Sequence, residues 1–285
     1  MTLPDGFRFS QAGLQDFVTC ARRFQLRYLM ALQWPAAEVE PIEAQERRMA
    51  LGQAFHRLVQ QWTVGIPQER LARQATDADL QRWWQAVVTY DPVATFGGAD
   101  TDAVVRSEFG LLGGVAGYRL VAQYDLLIVQ PGGQATILDW KTSTKRPTDQ
   151  QLRERLQSRI YPYLLAQVGH ALNGGRAIHP EQIEMVYWFP EFPHAPVRLP
   201  YSLSRYEVDE RYLTDLVASI ARMGEDEFLL TDDERACRFC VFRSYCGRGE
   251  RAGALDEAPA DWELQDEGVA EELDLDFDQI GEIAF

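Results

Sequence analysis

Lysine is almost absent from this sequence. Of 28 basic residues only Lys141 and Lys145 are lysines; the others are arginines. A chain that uses arginine nearly everywhere keeps lysine where a compact charge of adjustable pKa is needed, a task for which arginine is poorly suited. No apolar run reaches the ~18 residues of a membrane span. The opening MTLPDGFRFS also lacks the basic-then-apolar profile of a signal peptide. These absences lead us to expect a cytoplasmic protein with no membrane partner. Cysteine is scarce as well, with Cys20, Cys237, Cys240 and Cys246 the full set. In a reducing compartment four thiols call for an explanation other than disulfides. No G-x-x-x-x-G-K-[ST] occurs, so the chain carries no ATP-driven motor of that type, and no internal repeat is visible.

What is present is enough for a sizeable core. The 285 residues are 46% hydrophobic and 11% aromatic, which fits one large domain or two small ones. The formal charge of −15 argues against a nucleic-acid partner until it is divided along the chain. Residues 252–285 hold 12 Asp/Glu and no Lys/Arg, leaving 31 acids against 28 bases in residues 1–251. The body is therefore close to neutral and free to form a local basic groove. Arg22, Arg23 and Arg27, Lys145 and Arg146, Arg153, Arg155 and Arg159, and Arg238, Arg243 and Arg248 cluster as candidates for it. Solvated helix faces would account for the same clusters.

The apolar spacing predicts helices over 10–31, capped by Ser10, over 42–63, and over 77–90 behind Thr76. A Trp34-Pro35 break separates the first two. Residues 103–112, 115–129 and 134–141 read as a strand meander with turns at Gly113-Gly114 and Gly132-Gly133. Thr148 with Gln151 opens a long helix to about residue 171. Strands follow near 182–189 and 196–202, and Ser204 with Glu207 caps a helix to about Met223. The pattern is a layered α/β domain.

Asp139 and Lys141, two apart on the third strand, point to one face, with Trp140 and Leu138 on the other. Asp125 on the preceding strand shares its face with Val121, Leu127 and Val129, an expensive place for a carboxylate without a cation. The hairpin makes these strands neighbours, so Asp125 and Asp139 can converge on a divalent ion. Two carboxylates, a metal and a lysine are what phosphodiester hydrolysis requires. An ordinary salt bridge at a sheet end is the alternative for a D-x-K tripeptide.

Gly52-x-x-x-His56, Asp125, Asp139-x-Lys141 and Gln157-x-x-x-Tyr161 occur in that order. From about Leu14 to Gly247 the chain resembles the RecB-type branch of the PD-(D/E)XK nuclease superfamily, nearest to AddB nuclease domains and CRISPR-adaptation nucleases. ILDWKTS is similar to the third motif of that branch. The resemblance implies a restriction-endonuclease-like mixed sheet flanked by helices. It implies Mg²⁺ or Mn²⁺ on Asp125, Asp139, the Trp140 carbonyl and His56. Asp125, Asp139 and Lys141 would be the catalytic set, and Gln157 and Tyr161 would contact DNA. Glu108 is a candidate accessory acid or a plain surface strand residue. Gln123 departs from the glycine that the family often carries two before the motif acid, and Ala21 from its proline after the first cysteine.

Four thiolates form a complete ligand set for a [4Fe–4S] cluster or a tetrahedral Zn²⁺, and spacing does not choose between them. The resemblance implies the cluster, bound by Cys20 and the C-x2-C-x5-C of Cys237, Cys240 and Cys246, stapling the two ends of the domain together near the DNA path. The expected division is an N-terminal helical part over 1–90, a nuclease core over 91–230, a cysteine-rich segment over 231–250, and an acidic, disordered tail over 251–285. That tail interleaves acids with Leu273, Leu275, Phe277, Ile280, Ile283 and Phe285. It could dock a partner protein or occupy the chain's own groove. The function expected from the resemblance is an exonuclease on single-stranded DNA or DNA ends in recombination and repair, with any helicase a separate partner. A CRISPR-adaptation spacer-processing nuclease and a non-catalytic DNA-binding scaffold subunit are the alternatives. DWKT is nearer to RecB/AddB than to the E-x-K more usual in adaptation nucleases.

Overall fold

A computed structural model describes residues 3–33, 37, 39–97 and 102–258 of the chain. The Trp34-Pro35 break and most of the acidic tail lie outside the described residues.

The chain begins with β1 (Arg8–Ser10), α1 (Gln11–Thr19) and α2 (Ala21–Phe24), the last running into a π turn over Gln25–Leu29. Ser10 caps α1 as expected, accepting from the Gly13 N–H at 3.0 Å, a contact worth about 1 kcal/mol. The single helix predicted over 10–31 is broken at Cys20, whose extended backbone (φ −162°, ψ 110°) ends α1 and starts α2. Periodicity persists across such a break, so the pattern could not reveal it.

β2 (Val39–Glu40), α3 (Ile42–Thr63), α4 (Gln68–Ala72), α5 (Ala78–Tyr90) and α6 (Pro92–Gly97) follow. Asp77, rather than Thr76, caps α5 through the Asp79 N–H at 2.9 Å. The meander is β3 (Val104–Val115), β4 (Tyr118–Val129) and β5 (Ala135–Trp140). Its first turn is at Ala116-Gly117, both with positive φ, so Gly113 and Gly114 lie within β3. The second is at Gly132-Gly133, as predicted.

The long helix predicted from Thr148 starts with the expected capping box. It then divides into α7 (Asp149–Glu154) and α8 (Gln157–Val168), because Arg155 is extended. β6 (Ile183–Trp188), β7 (Val197–Pro200), α9 (Leu203–Arg222), α10 (Glu234–Cys237) and β8 (Gly253–Ala254) complete the order. Ser202, two residues before the predicted cap, accepts from the Arg205 N–H at 3.2 Å.

The six-stranded sheet is mixed, in the order β1-β4-β5-β6-β7, with β3 antiparallel along the other edge of β4. β4 is long enough for two partners on one edge. β1 pairs parallel with residues 119–121, and β5 pairs antiparallel with residues 126–129. Helices cover both faces, giving the mixed α/β architecture of a restriction-endonuclease-like domain. On one face α3 and α5 pack Phe55, Leu58, Val59, Trp83 and Trp84 against Leu126, Ile128, Leu138 and Trp140. On the other, α1, α8 and α9 pack Leu14, Ile160, Leu164, Leu213 and Val217 against Leu127, Ile137, Met185 and Tyr187. Each large side chain fully removed from water contributes about 1.5–3 kcal/mol.

The C-terminal segment is tied to the rest of the domain. β8 pairs parallel with β2, and Val39, Phe239, Leu255 and Ala258 form a small separate core. The Lys145 ammonium donates to the carbonyls of Asp256 (2.7 Å) and Ala258 (2.8 Å). The first residues of the expected tail, up to 258, are therefore docked. No helix among the described residues is long and apolar enough to cross a membrane.

Candidate active site and cysteine pocket

The alternation of inward residues changes parity in the middle of the sheet. On β4, Leu120, Ala122 and Tyr124 face α8, but beyond them Leu127 and Val129 do, while Leu126 and Ile128 face α3. β3 switches in step, with Phe109 and Leu111 on the α8 face and Val105 on the other. The face predicted for Asp125 from strict alternation with Val121 therefore does not carry through. The switch falls at Glu108 and Asp125, which stand opposite each other between the pairs Ser107↔Leu126 and Phe109↔Tyr124. Glu108 takes up the irregularity with a left-handed backbone (φ +47°), a conformation uncommon for non-glycine residues and often found at functional sites.

The β4–β5 ladder stops at Leu126↔Leu138, which makes Asp125 and Asp139 the next residues on adjacent strands. Instead of another ladder bond, the Trp140 N–H donates to Asp125 Oδ2 at 2.7 Å. The Trp140 side chain is buried on the α3 face. From α3, His56 brings Nδ1 to 3.7 Å from Asp125 Oδ1. One turn earlier on that helix, a Cβ at Gly52 would stand 3.1 Å from Thr142 Oγ1, so glycine lets α3 approach the segment that leaves β5. His56, Glu108 and Asp125 each offer a ligand atom within 4.8 Å of the others.

Asp139 and Lys141 form a buried ion pair at 2.9 Å, with both side chains nearly sealed from solvent (2% and 1% exposed). Asp139 Oδ1 also accepts from Gln157 Nε2 at 2.5 Å. Gln157 is thus buried and turned inward. Tyr161 is buried too, its ring 4.9 Å from that of Tyr124 and its carbonyl accepting from the Tyr124 hydroxyl at 2.8 Å. The two residues expected on the DNA therefore contact the interior in this structure.

Burial drives the Asp125 carboxyl well above its ordinary value, and the charges of Asp139 and Glu108 push it further. Glu108 is raised as well, first by burial, with His56 and a side-chain bond from Gln123 opposing the shift. Gln123, the departure noted in the sequence, thus acts on the acid that sequence reasoning left undecided. Named in the sequence as a candidate accessory acid, Glu108 stands opposite Asp125, a position that becomes visible only once the register is known. Asp139 and Asp125 both feel the Lys141 ammonium, and Glu108 and His56 stand beside Asp125. Hard oxygen donors with one nitrogen suit a divalent metal ion.

The four cysteines, all free thiols, line one pocket between the end of α1 and the segment after α10, together with Arg23 and Arg243. Burial pushes the Cys237, Cys240 and Cys246 thiols up. Bound metal would have to displace those protons. The surrounding arginines are committed within the fold. Arg23 and Arg27 pair with Asp16 at 2.5 and 2.8 Å, and Arg238 pairs with Glu257 at 2.5 Å. Arg243 is buried and donates to the carbonyls of Ala37, Cys240 and Glu250. On α8, Arg159 meets the fully buried Asp209 at 2.6 Å. Arg243 and Arg155 are thus taken into the interior, while Lys145, Arg153 and Arg238 stay exposed.

Comparison with known proteins gives a match to the model of the PD-(D/E)XK nuclease superfamily over residues 8–247. Among solved structures the chain is similar to SSO0001 (14% identity, TM-score 0.38), covering 86% of this chain and 88% of that one. It is also similar to a candidate exonuclease from Eubacterium rectale (9% identity, TM-score 0.46), covering 75% of this chain and 79% of that one. No curated protein matches significantly.

Proposed function

Because the chain belongs to the PD-(D/E)XK nuclease superfamily, whose members use divalent metal ions, we propose that it is a Mg²⁺- or Mn²⁺-dependent deoxyribonuclease of the RecB/AddB type. Its substrate would be single-stranded DNA or DNA ends, met in recombination and repair. The observation that carries the reading is the convergence of His56, Glu108 and Asp125 beside the buried Asp139–Lys141 pair.

His56, Glu108 and Asp125 would hold the ion, with Asp139 and the Trp140 carbonyl as the further donors expected from the family. Bound there, a divalent ion supplies Lewis-acid stabilisation of the phosphate and lowers the pKa of the attacking water. Lys141 has three donor protons. One faces Asp139, and the ammonium would orient the attacking water and a non-bridging phosphate oxygen once substrate is bound. Asp125 is fixed by the Trp140 N–H and Asp139 by Gln157, so both carboxylates are held before substrate arrives.

The cysteine pocket would hold a [4Fe–4S] cluster, with zinc the alternative. The choice of the cluster over zinc rests on the family resemblance of the C-x2-C-x5-C spacing with a distant first cysteine. Its role would be structural, joining the first helices to the C-terminal segment.

The test is degradation of end-labelled single- and double-stranded DNA with Mg²⁺ or Mn²⁺, using protein purified anaerobically. We expect metal-dependent cleavage that Lys141→Ala abolishes. Cluster-loaded wild type that binds DNA without cleaving it would support a scaffold subunit instead. Spacer-precursor trimming in preference to degradation of plain ends would move the assignment to CRISPR adaptation.

A further inference from the structure

We infer that Tyr187 is a positioning residue for Asp139, holding the Gln157 amide so that its NH₂ end faces that carboxylate. The inference rests on the nuclease reading, since it concerns how the same centre is kept in shape.

Asp139 and Tyr187 are register partners on β5 and β6 and lie on the α8 side of the sheet. Gln157, the first residue of α8, reaches between them. Its Nε2 donates to Asp139 Oδ1 at 2.5 Å, and its Oε1 lies 3.4 Å from the Tyr187 hydroxyl, which donates toward it. The Tyr187 hydroxyl is also 2.8 Å from Ser158 Oγ, and Ser158 Oγ is 2.6 Å from the Leu152 carbonyl oxygen. Counting protons fixes the direction of this chain. The Leu152 carbonyl can only accept, so the single Ser158 proton goes to it. Ser158 Oγ then accepts from Tyr187, whose proton is shared between Ser158 and the more distant Gln157 Oε1.

All three side chains are buried, Tyr187 fully and Gln157 and Ser158 at 2% and 7% exposure. No bulk water can stand in for a missing hydroxyl there. The two ends of a glutamine amide have nearly the same shape and differ only in which one donates. Turned the other way, Oε1 would face the Asp139 carboxylate, acceptor against acceptor, in a site where an unmet polar group is costly. The Tyr187 hydroxyl offers Oε1 a share of its proton on the side away from Asp139. Ser158 anchors that hydroxyl to the C-terminal turn of α7. Asp139 is thus held from β6 and from the α7–α8 junction as well as by Lys141.

The experiment is a double-mutant cycle between Tyr187→Phe and Gln157→Ala, with Ser158→Ala as a second probe of the same chain. Three readouts are taken for each variant: kcat and KM on end-labelled single-stranded DNA, Mn²⁺ affinity by calorimetry, and the thermal midpoint. We expect Tyr187→Phe to lower kcat and Mn²⁺ affinity by about tenfold, with KM for DNA unchanged. Ser158→Ala removes the competing acceptor, leaves the Tyr187 proton to Gln157 Oε1, and should lower neither kcat nor Mn²⁺ affinity. In the Gln157→Ala background, Tyr187→Phe should add nothing further. Wild-type kcat and Mn²⁺ affinity in Tyr187→Phe would overturn the inference. So would an equal loss in both backgrounds, the mark of a packing role. A wild-type protein that binds Mn²⁺ yet cleaves no DNA would sink the nuclease reading, and the Mn²⁺ limb of the cycle would still decide this one.

Discussion

Lys141 and Asp139 neutralise each other at 2.9 Å in the interior, and each is costly there alone. Removing one partner of a buried pair leaves an uncompensated charge, at about 3–5 kcal/mol. Lys141→Ala should therefore lose stability in urea as well as cleavage. Lys141→Met combined with Asp139→Asn should recover most of the stability and none of the activity. If Lys141→Ala proves as stable as wild type, the pair is not sealed from water as described. The raised carboxyls of Asp125 and Glu108 make a second prediction. A carboxyl raised in the folded state binds its proton more tightly there than in the unfolded chain. Its stabilising contribution is complete below its ordinary value and is lost as pH rises through the raised one. Metal-free protein should accordingly lose stability as pH climbs above 3.8 toward the raised values. Mn²⁺ or Asp125→Asn should flatten that slope in thermal melts taken across pH. Part of this centre was legible in the sequence, because two lysines among 28 bases drew attention to Asp139-x-Lys141 and the G-x-x-x-H of the family resemblance pointed to His56. Glu108 was not legible as a partner. Its role depends on standing opposite Asp125 where both strands change parity, and parity was what the strand reading took as constant.

Helix α8 meets β3 closely at one glycine. A Cβ at Gly113 would come 2.5 Å from Leu164 Cδ2 and would also run into Gln167 Oε1. Gln167 cannot simply swing aside, since it bonds both the N–H and the C=O of Gly114, at 3.0 and 2.9 Å. Gly113→Ala should destabilise by about 1–3 kcal/mol, measured by urea unfolding. It should also disturb the helix that carries Gln157. Gly114→Ala, with its nearest neighbour 4.0 Å away, is the control expected to cost less. The sequence reading took these two glycines for a hairpin turn, because paired glycines most often mark one. Here one of them buys a close helix–sheet contact, and the turn lies further on at Ala116-Gly117. The long helices over 10–31 and 148–171 failed for a related reason. Their apolar stripes continue through Cys20 and Arg155, whose extended backbones aim a cysteine into the pocket and turn Gln157 toward Asp139.

Across the whole molecule, the cysteine pocket and the β2–β8 pairing join segments far apart in sequence. Cys20→Ser should lower bound iron and acid-labile sulfide together. It should also lower the thermal midpoint, because a long loop is then left unclosed. Unchanged iron content would remove Cys20 from the ligand set. The cysteine spacing was legible early, but the carbonyl contacts of Arg243 and Lys145 were not. Contacts to backbone carbonyls carry no residue signature and could not be anticipated from the sequence. The pocket also imposes an order on biosynthesis. Cys20 emerges 217 residues before Cys237, which at ~5–20 residues per second is a wait of about 10–40 s. The sheet is complete once β7 has been made, so on a translating ribosome the phosphodiester-cutting centre can assemble while the pocket still has only its first wall.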